Sequence, residues 1–156
     1  MSLIGIDVGS SSVKVAAYSE GGELIAVTSH DLTPLHPGPG LWETDPEDIW
    51  QATCQGMRCV SAQDSVRRDP PKAIAVSASG RENLPADALG NPLGNGIMGA
   101  DTRGAEFEIP PPGSPVPETW CLSCGHLRER MDPVFRLEWW RKYHPEIMEK
   151  ARYFFG

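Results

Sequence analysis

The stretch that decides the fold is Asp7-Val8-Gly9-Ser10-Ser11-Ser12-Val13-Lys14, which joins two short apolar runs. These runs, at residues 3–8 and 13–18, are typical of β-strands, and a third at residues 23–30 follows the turn Glu20-Gly21-Gly22. Links this short permit antiparallel hairpins and leave no room for a crossover helix. The sequence therefore predicts a sheet that begins with three antiparallel strands rather than with a parallel βαβ unit.

The turn between the first two predicted strands carries groups of the kinds that can bind a phosphate. They are Gly9, Ser10, Ser11, Ser12 and Lys14. A glycine lets backbone N–H groups approach an anion closely, hydroxyls add donors, and the ammonium adds positive charge. Asp7, at the end of a buried strand, is suited to hold a hydrated magnesium ion. The alternative is a plain polar turn in which Asp7 accepts local hydrogen bonds. A P-loop is excluded, because the pattern Gly-x-x-x-x-Gly-Lys-Ser/Thr does not occur.

Composition narrows the class of protein. The chain has 156 residues, 40% of them hydrophobic, and 14 Lys or Arg against 21 Asp or Glu give a net charge of −7. This predicts one ordinary domain or part of a larger one, and the acidic balance argues against nucleic acid as a partner. No apolar run approaches a membrane span and no export signal is recognisable, so we expect a cytoplasmic protein without a membrane partner. The cysteines are therefore expected to be reduced; they are Cys54, Cys59, Cys121 and Cys124.

A helix and a further strand are predicted after the first three strands. Asp45 is a suitable N-cap, and Pro46 suits the first helical position. The helix is expected to end before Asp69, with one apolar face packed on the sheet. The residues of that face are Ile49, Trp50, Thr53, Cys54, Met57 and Val60. The apolar run at 72–79 predicts a covered strand parallel to the first.

The second half of the chain is rich in turns and prolines. Gly90-Asn91-Pro92 predicts a turn between two short extended stretches. Residues 109–117 hold five of the 15 prolines and predict a surface loop. Asp132-Pro133 predicts the start of a helix, and His144-Pro145 predicts its end and the start of another helix toward Phe154. No closing strand is expected after it.

Several segments resemble, in the right order, the N-terminal part of the FGGY carbohydrate kinases, the group of glycerol kinase, xylulokinase and gluconokinase. The first is Asp7-x-Gly9-Ser10-Ser11-Ser12-x-Lys14. The others are Gly40-Leu41-Trp42-Glu43-Thr44-Asp45-Pro46, Ser79-Gly80-Arg81-Glu82, Asp101-Thr102-Arg103, and Phe135-Arg136-Leu137-Glu138-Trp139-Trp140 with His144-Pro145-Glu146. The resemblance implies an RNase H-like (actin-like ATPase) α/β domain, with a mixed sheet beginning with three antiparallel strands and helices on its faces. It also implies ATP- and Mg²⁺-dependent phosphorylation of a sugar or polyol hydroxyl.

The resemblance further implies roles for single residues. Gly9, Ser10, Ser11, Ser12 and Lys14 would line the nucleotide phosphates, and Asp7 would organise magnesium. The substrate would be bound by Trp42, Arg81, Glu82, Asp101 and Arg103. Such roles suit the chemistry of Arg81 and Glu82, because a guanidinium only donates and a carboxylate only accepts, so the two together read adjacent hydroxyls. Two alternatives remain open: Arg81 and Glu82 as a salt-bridged surface pair, and Asp101 with Arg103 as an ion pair that stabilises a turn.

The sequence also departs from the family pattern. The aromatic residue that the family often has two positions before Asp101 is Gly99 here, so one wall of a sugar pocket is either missing or supplied by Trp42. Gly80-Arg81-Glu82-Asn83 replaces the Gly-Gln-x-His of xylulokinases, which favours a polyol or an atypical sugar.

Length is the largest departure. Family members are much longer than 156 residues, so the resemblance implies that 1–156 is a truncated, substrate-binding N-terminal domain. The nucleotide-binding domain and the catalytic base would then lie beyond Gly156, leaving no catalytic residue in this chain. Phosphoryl transfer needs the γ-phosphate clamped from both sides and a base beside the hydroxyl. The chain alone is therefore expected to be inactive.

Three other interpretations stay open. A degenerate kinase half could act as a sugar-sensing or interaction module, and exposed apolar surface would favour a homodimer. Another kind of actin-like ATPase would share the phosphate turn but would not explain Arg81-Glu82. Cys121-x-x-Cys124 with His126 has a zinc-like spacing, but structural zinc needs four ligands, and the alternative is a turn of small residues.

Overall fold

The computed structural model describes residues 1–107 and 133–156, and the chain forms two compact units. The first comprises Met1–Leu35 and Thr44–Gly80, and the second His36–Glu43 and Arg81–Gly156. The elements in chain order are β1 (Ser2–Val8), β2 (Ser12–Ser19), β3 (Leu24–Asp31), β4 (Glu43–Thr44), α1 (Pro46–Ser61), α2 (Asp64–Arg68), β5 (Pro71–Ala78), β6 (Leu84–Ala86), β7 (Gly96–Ile97), a 3₁₀ helix (Ala105–Phe107), α3 (Pro133–Tyr143), α4 (Pro145–Lys150) and β8 (Tyr153–Phe155). Among the helices in these described ranges, none has the length and apolar character that spanning a bilayer requires.

The first unit is built on a four-stranded mixed sheet in the order β3-β2-β1-β5. β1 and β2 are antiparallel with Ile4 opposite Ala17, and β2 and β3 are antiparallel with Val15 opposite Thr28. β5 runs parallel to β1 and places Ile74 beside Ile4. The predicted antiparallel start, the parallel fourth strand and the mixed α/β class are all confirmed.

The core of the first unit lies between one sheet face and α1. Alternate residues of β1 and β2 are buried there with residues of the two helices. They are Ile4, Ile6, Val13, Val15, Ala17, Ala52, Val60 and Val66. The predicted helix start is confirmed, because Asp45 is the N-cap, its Oδ1 accepts the N–H of Glu47 at 2.9 Å, and Pro46 is the first helical residue.

The predicted packing face of α1 is wrong at Trp50, a residue that is 59% exposed. The helix instead turns its small residues toward the sheet: Ala52, Gly56 and Val60 are buried and spaced by four. A Cβ at Gly56 would lie 2.6 Å from Cγ2 of Val15, so helix and sheet are too close for a large side chain. The helix also ends earlier than expected, at Ser61, and the separate helix α2 follows.

The prediction that the strand at 72–79 is covered is also wrong. Ile74 is 58% and Val76 65% exposed, although they pair with the buried Ile4 and Ile6. Parallel neighbours point to the same face, so both belong to the face that carries α1. α1 packs mainly on β2 and β3. It therefore does not cover the edge strand β5.

The second unit contains a two-stranded antiparallel sheet of β6 and β8, in which Leu84 faces Phe155. The expectation of a helix toward Phe154 without a closing strand is therefore wrong. α4 ends at Lys150, and the aromatic run Tyr153–Phe155 adopts the extended form that such residues favour.

The predicted helix over the Trp139-Trp140 segment is confirmed as α3. Trp140 is buried, and its Nε1–H donates to Oδ1 of Asn83 at 2.7 Å. The predictions for the loop at 109–117, for Asp132, and for Cys121 and Cys124 lie outside the described residues.

Candidate functional site

The turn between β1 and β2 is held by its backbone and leaves hydroxyls at the surface. The N–H of Gly9 donates to the carbonyl of Ser12 at 3.0 Å, and the N–H of Leu32 donates to the carbonyl of Ser11 at 2.9 Å. Ser10 and Ser11 are exposed, whereas Ser12, the first residue of β2, is buried. The turn is therefore fixed in position while two of its three serines face solvent.

Asp7 and Lys14 stand side by side at this end of the hairpin. They are register partners in β1 and β2, and Nζ of Lys14 lies 3.9 Å from Oδ2 of Asp7. Both side chains are more than half exposed, so their mutual attraction is weak, below about 1 kcal/mol. Both charges are thus accessible to a ligand.

A magnesium ion can use the Asp7 carboxylate only together with ligands from elsewhere. The described residues contain no cluster of three or more His, Cys, Asp or Glu side chains that could hold a metal. Magnesium often binds through one or two carboxylates, keeps several waters and takes its other ligands from phosphate. Asp7 therefore fits a hydrated ion that arrives with a nucleotide, and does not form a metal site by itself.

In the second unit, Asp101 lies at the centre of a buried polar network. Its side chain is fully buried, and its oxygens accept four hydrogen bonds from Trp42 and Arg103. The donors are the N–H of Trp42 at 2.6 Å, the N–H of Arg103 at 2.8 Å, and Nε and Nη2 of Arg103 at 2.9 and 2.6 Å. A carboxylate has about four lone-pair sites, so a further donor would have to displace one of these groups.

Arg103 extends the network to Glu43 and to an aromatic ring. Its Nη1 donates to Oε1 of Glu43 at 2.8 Å, and Oε2 of Glu43 accepts from Nδ2 of Asn95 at 2.9 Å. The guanidinium also lies over the ring of Trp139, 5.2 Å from its centroid. Burial lowers the pKa of Arg103, but the hydrogen bonds to Asp101 and Glu43 outweigh burial and raise it. Arg103 is thus fixed on three sides.

The backbone of Trp42 is held by the same network, while the residue as a whole is 37% exposed. Its carbonyl accepts the N–H of Met98 at 2.9 Å, and the ring meets His36 edge-on at 3.9 Å between centroids. Gly40, just before it, has φ of +72°, and a Cβ there would lie 2.8 Å from Oγ1 of Thr102. The exposed Trp42 ring is therefore carried by a rigid support.

Arg81 and Glu82 precede β6 on the surface of the second unit. Arg81 is exposed and Glu82 half-buried, and Oε2 of Glu82 accepts the N–H of Arg81 at 3.2 Å. A Cβ at Gly99 would lie 3.1 Å from Cβ of Arg81, so a larger residue there would press on the stem of Arg81. Arg81 therefore fills part of the space beside Gly99, the position at which the family often has an aromatic residue.

The structure brings together three of the predicted substrate residues, Trp42, Asp101 and Arg103, in one hydrogen-bonded network. Sequence reasoning missed two members, Glu43 and Asn95. Glu43 lies in a segment that carried the resemblance, and its position next to Trp42 was the available signal. For Asn95, no signal in the sequence indicated a role.

The comparisons with known proteins agree on one family. The model of the FGGY family of carbohydrate kinases, N-terminal domain, matches residues 2–156. The chain is 36% identical over 151 residues to xylulose kinase of Escherichia coli, covering 94% of this chain and 30% of that protein. It is 29% identical over 143 residues to L-xylulose/3-keto-L-gulonate kinase of the same organism, covering 92% of this chain and 29% of that one.

A solved structure supports the same fold. The xylulose kinase of Rhodospirillum rubrum superposes with a TM-score of 0.85 at 22% identity, covering 100% of this chain and 32% of that one. The chain thus spans about a third of the length of the relatives it matches. Because the family model matches almost every residue, from 2 to 156, this chain belongs to the FGGY family of carbohydrate kinases and corresponds to its N-terminal domain.

Proposed function

We propose that the whole protein transfers a phosphoryl group from ATP to a hydroxyl of a sugar or polyol, and that residues 1–156 supply the substrate-binding part. The observation that carries the proposal is the family match over residues 2–156. The nucleotide-binding domain and the catalytic base would lie in sequence outside this chain. The expectation of a cytoplasmic location belongs to the same proposal.

The β1–β2 turn suits the phosphate end of the nucleotide. Ser10 and Ser11 are exposed on a turn that the backbone bonds of Gly9 and Ser11 hold in place. The exposed Lys14 adds a positive charge beside them. In this proposal Asp7 orients a hydrated magnesium ion, which would neutralise phosphate charge.

The second unit suits a substrate rich in hydroxyls. Arg81 supplies donors, the Glu82 carboxylate accepts, and the exposed part of the Trp42 ring offers an apolar surface to C–H groups. In this proposal Asp101 and Arg103 act together, because the hydrogen bonds between them orient Arg103 and the Trp42 backbone.

Sugar-dependent release of ADP tests the proposal. The whole protein is assayed with ATP, magnesium and a panel of a ketopentose, glycerol and a sugar acid, and one of them should support turnover. Lys14→Ala should raise KM for ATP by about 10- to 100-fold, since a hydrogen bond from a charged group contributes about 1.5–3 kcal/mol. Lys72→Ala is the matched control, because Lys72 is an exposed lysine of β5 in the same unit.

The outcomes separate clearly. Turnover with none of the panel, or a KM for ATP that Lys14→Ala leaves unchanged, would refute the proposal. Residues 1–156 alone should release no ADP. Turnover by this chain that disappears in Asp7→Asn would show instead that it contains a complete active site.

A further inference from the structure

Arg136 of α3 has an unusual environment for a charged residue. It is fully buried, and it heads the fully buried side chains of the described residues by volume. Its guanidinium donates to backbone carbonyls: Nη1 to Arg81, and Nη2 to Gly99 at 3.1 Å and to Asp101 at 3.4 Å. No carboxylate forms an ion pair with it among the described residues. The buried positive charge of Arg136 is therefore surrounded by backbone carbonyl groups.

The three carbonyls belong to two segments that are separated in sequence. Arg81 begins the Arg81-Glu82 segment before β6, and Gly99 and Asp101 belong to segment 99–103 after β7. These two segments carry four of the five residues to which the resemblance gives a role at the substrate. Arg136 is thus a single side chain that ties both of them to one helix.

Fold stability alone does not account for this burial. Nε of Arg136 is buried without a hydrogen-bond partner among the described residues, and such a donor is costly. Burial also lowers the pKa of Arg136, with the charge of Asp101 opposing the change. An apolar side chain of similar volume would avoid the free-energy cost of burying a charge and an unpaired donor. What an apolar side chain cannot do is orient three carbonyl groups.

We infer that Arg136 is a positioning residue, which sets the spacing between the Arg81-Glu82 segment and segment 99–103 and thereby determines affinity for the sugar. This inference rests on the proposed function, and it assigns Arg136 no contact with substrate. The planar guanidinium reaches both segments at once with two nitrogens in fixed geometry. A lysine has one nitrogen and cannot reproduce that geometry.

The test compares Arg136→Met, Arg136→Lys and Arg141→Met in the whole protein, using the panel compound that supports turnover best. Arg141 is the matched control, because it lies on the same helix but is exposed and pairs with Glu138 at 2.6 Å. Arg136→Met should raise KM for the sugar at least about tenfold and leave KM for ATP within about twofold. Arg136→Lys should lie between Arg136→Met and wild type, and Arg141→Met should match wild type. Thermal unfolding of each variant accompanies the kinetics.

Each outcome decides the matter. A selective rise in the sugar KM in a folded Arg136→Met variant supports the positioning role, since a purely structural residue would lower the amount of active enzyme and leave both KM values unchanged. An unchanged sugar KM overturns it, as does failure of both Arg136 variants to fold, which would make Arg136 a residue of fold stability. If the wild-type protein turns over no compound of the panel, the proposed function itself fails and the role assigned to Arg136 fails with it.

Discussion

Arg103 donates three of the four hydrogen bonds that the carboxylate of Asp101 accepts from the described residues. The fourth comes from the backbone of Trp42. The Asp101 side chain is fully buried and that of Arg103 is 12% exposed, so solvent screens the pair little. The free energy of desolvating both charges is offset here by the hydrogen bonds between them and by those to Trp42 and Glu43, which makes the pair sensitive to loss of either partner.

Arg103→Met should therefore destabilise the chain strongly. The substitution leaves the Asp101 carboxylate buried without its ion-pair partner, a change that costs about 3–5 kcal/mol. Urea unfolding of the 156-residue chain measures the free energy of unfolding, with Arg141→Met as control. Arg141 pairs with Glu138 on the surface, so its loss should cost less than about 1 kcal/mol. Equal losses in the two variants would contradict the buried pair.

The same carboxylate predicts how stability depends on pH. Burial raises the pKa of Asp101, but the hydrogen bonds from Arg103 and Trp42 outweigh it, and the net pKa lies below 3.8. A pKa lower in the folded than in the unfolded state means that ionised Asp101 stabilises the fold above about pH 4. This stability is lost as the pH falls through the folded pKa.

Asp101→Asn should remove that part of the acid dependence. Unfolding free energies measured from about pH 6 to about pH 2 should fall less steeply below about pH 4 in the variant than in wild type. The control is Asp31→Asn, the same substitution at the exposed end of β3. If Asp101→Asn and wild type lose stability in parallel over this acid range, the lowered pKa of Asp101 is wrong.

What could be predicted from the sequence was set by local geometry. Links as short as the one between Val8 and Ser12 allow only a hairpin, and Asp45-Pro46 joins a preferred N-cap residue to one that is common at the first helical position. Burial was harder to predict, because it depends on neighbouring elements. The spacing of apolar residues in α1 does not reveal that Val15 leaves room only for small residues on the side of the helix that faces it. The prediction that Trp50 packs on the sheet is wrong for this reason.

Some residues of the candidate site could likewise be predicted from local patterns, and others could not. Arg81, Glu82, Asp101 and Arg103 could be singled out because their motifs resemble a family. Arg136 lies in a segment that carries the resemblance, but its role could not be predicted, because a charged residue on a helix is usually exposed. Its burial depends on carbonyls at residues 81, 99 and 101, which no local pattern links to it.

The exposed edge strand β5 predicts self-association of the 156-residue chain. Among residues 1–107 and 133–156, β5 is the last strand of its sheet, and Ile74 and Val76 are more than half exposed there. An unpaired strand edge with apolar side chains promotes pairing with a second copy. Sedimentation at micromolar concentration should detect dimers, and Ile74→Lys with Val76→Lys should abolish them. Leu89→Lys, at a single exposed leucine in a turn, should not; a monomeric wild type would refute the prediction.

Gly56→Ala tests whether close packing of α1 on the sheet limits stability. In a helix interior, alanine is normally more stable than glycine by about 0.5–1 kcal/mol. At Gly56 the added Cβ would lie 2.6 Å from Cγ2 of Val15, and overpacking of this kind costs about 1–3 kcal/mol. We therefore expect a net loss of stability in urea unfolding. Gly21→Ala, where the nearest atom outside the adjacent residues is 3.7 Å away, should show no such loss.

A double-mutant cycle that combines Gly56→Ala with Val15→Ala identifies the cause. If the clash with Val15 is responsible, removing the Val15 methyl groups makes room for the Cβ introduced by Gly56→Ala, and the double variant should be more stable than the sum of the single losses predicts, by at least about 0.5 kcal/mol. Additive losses would mean that Val15 does not set the helix position. The glycine would then be required for another reason, and the account of why Trp50 faces away from the sheet would fail with it.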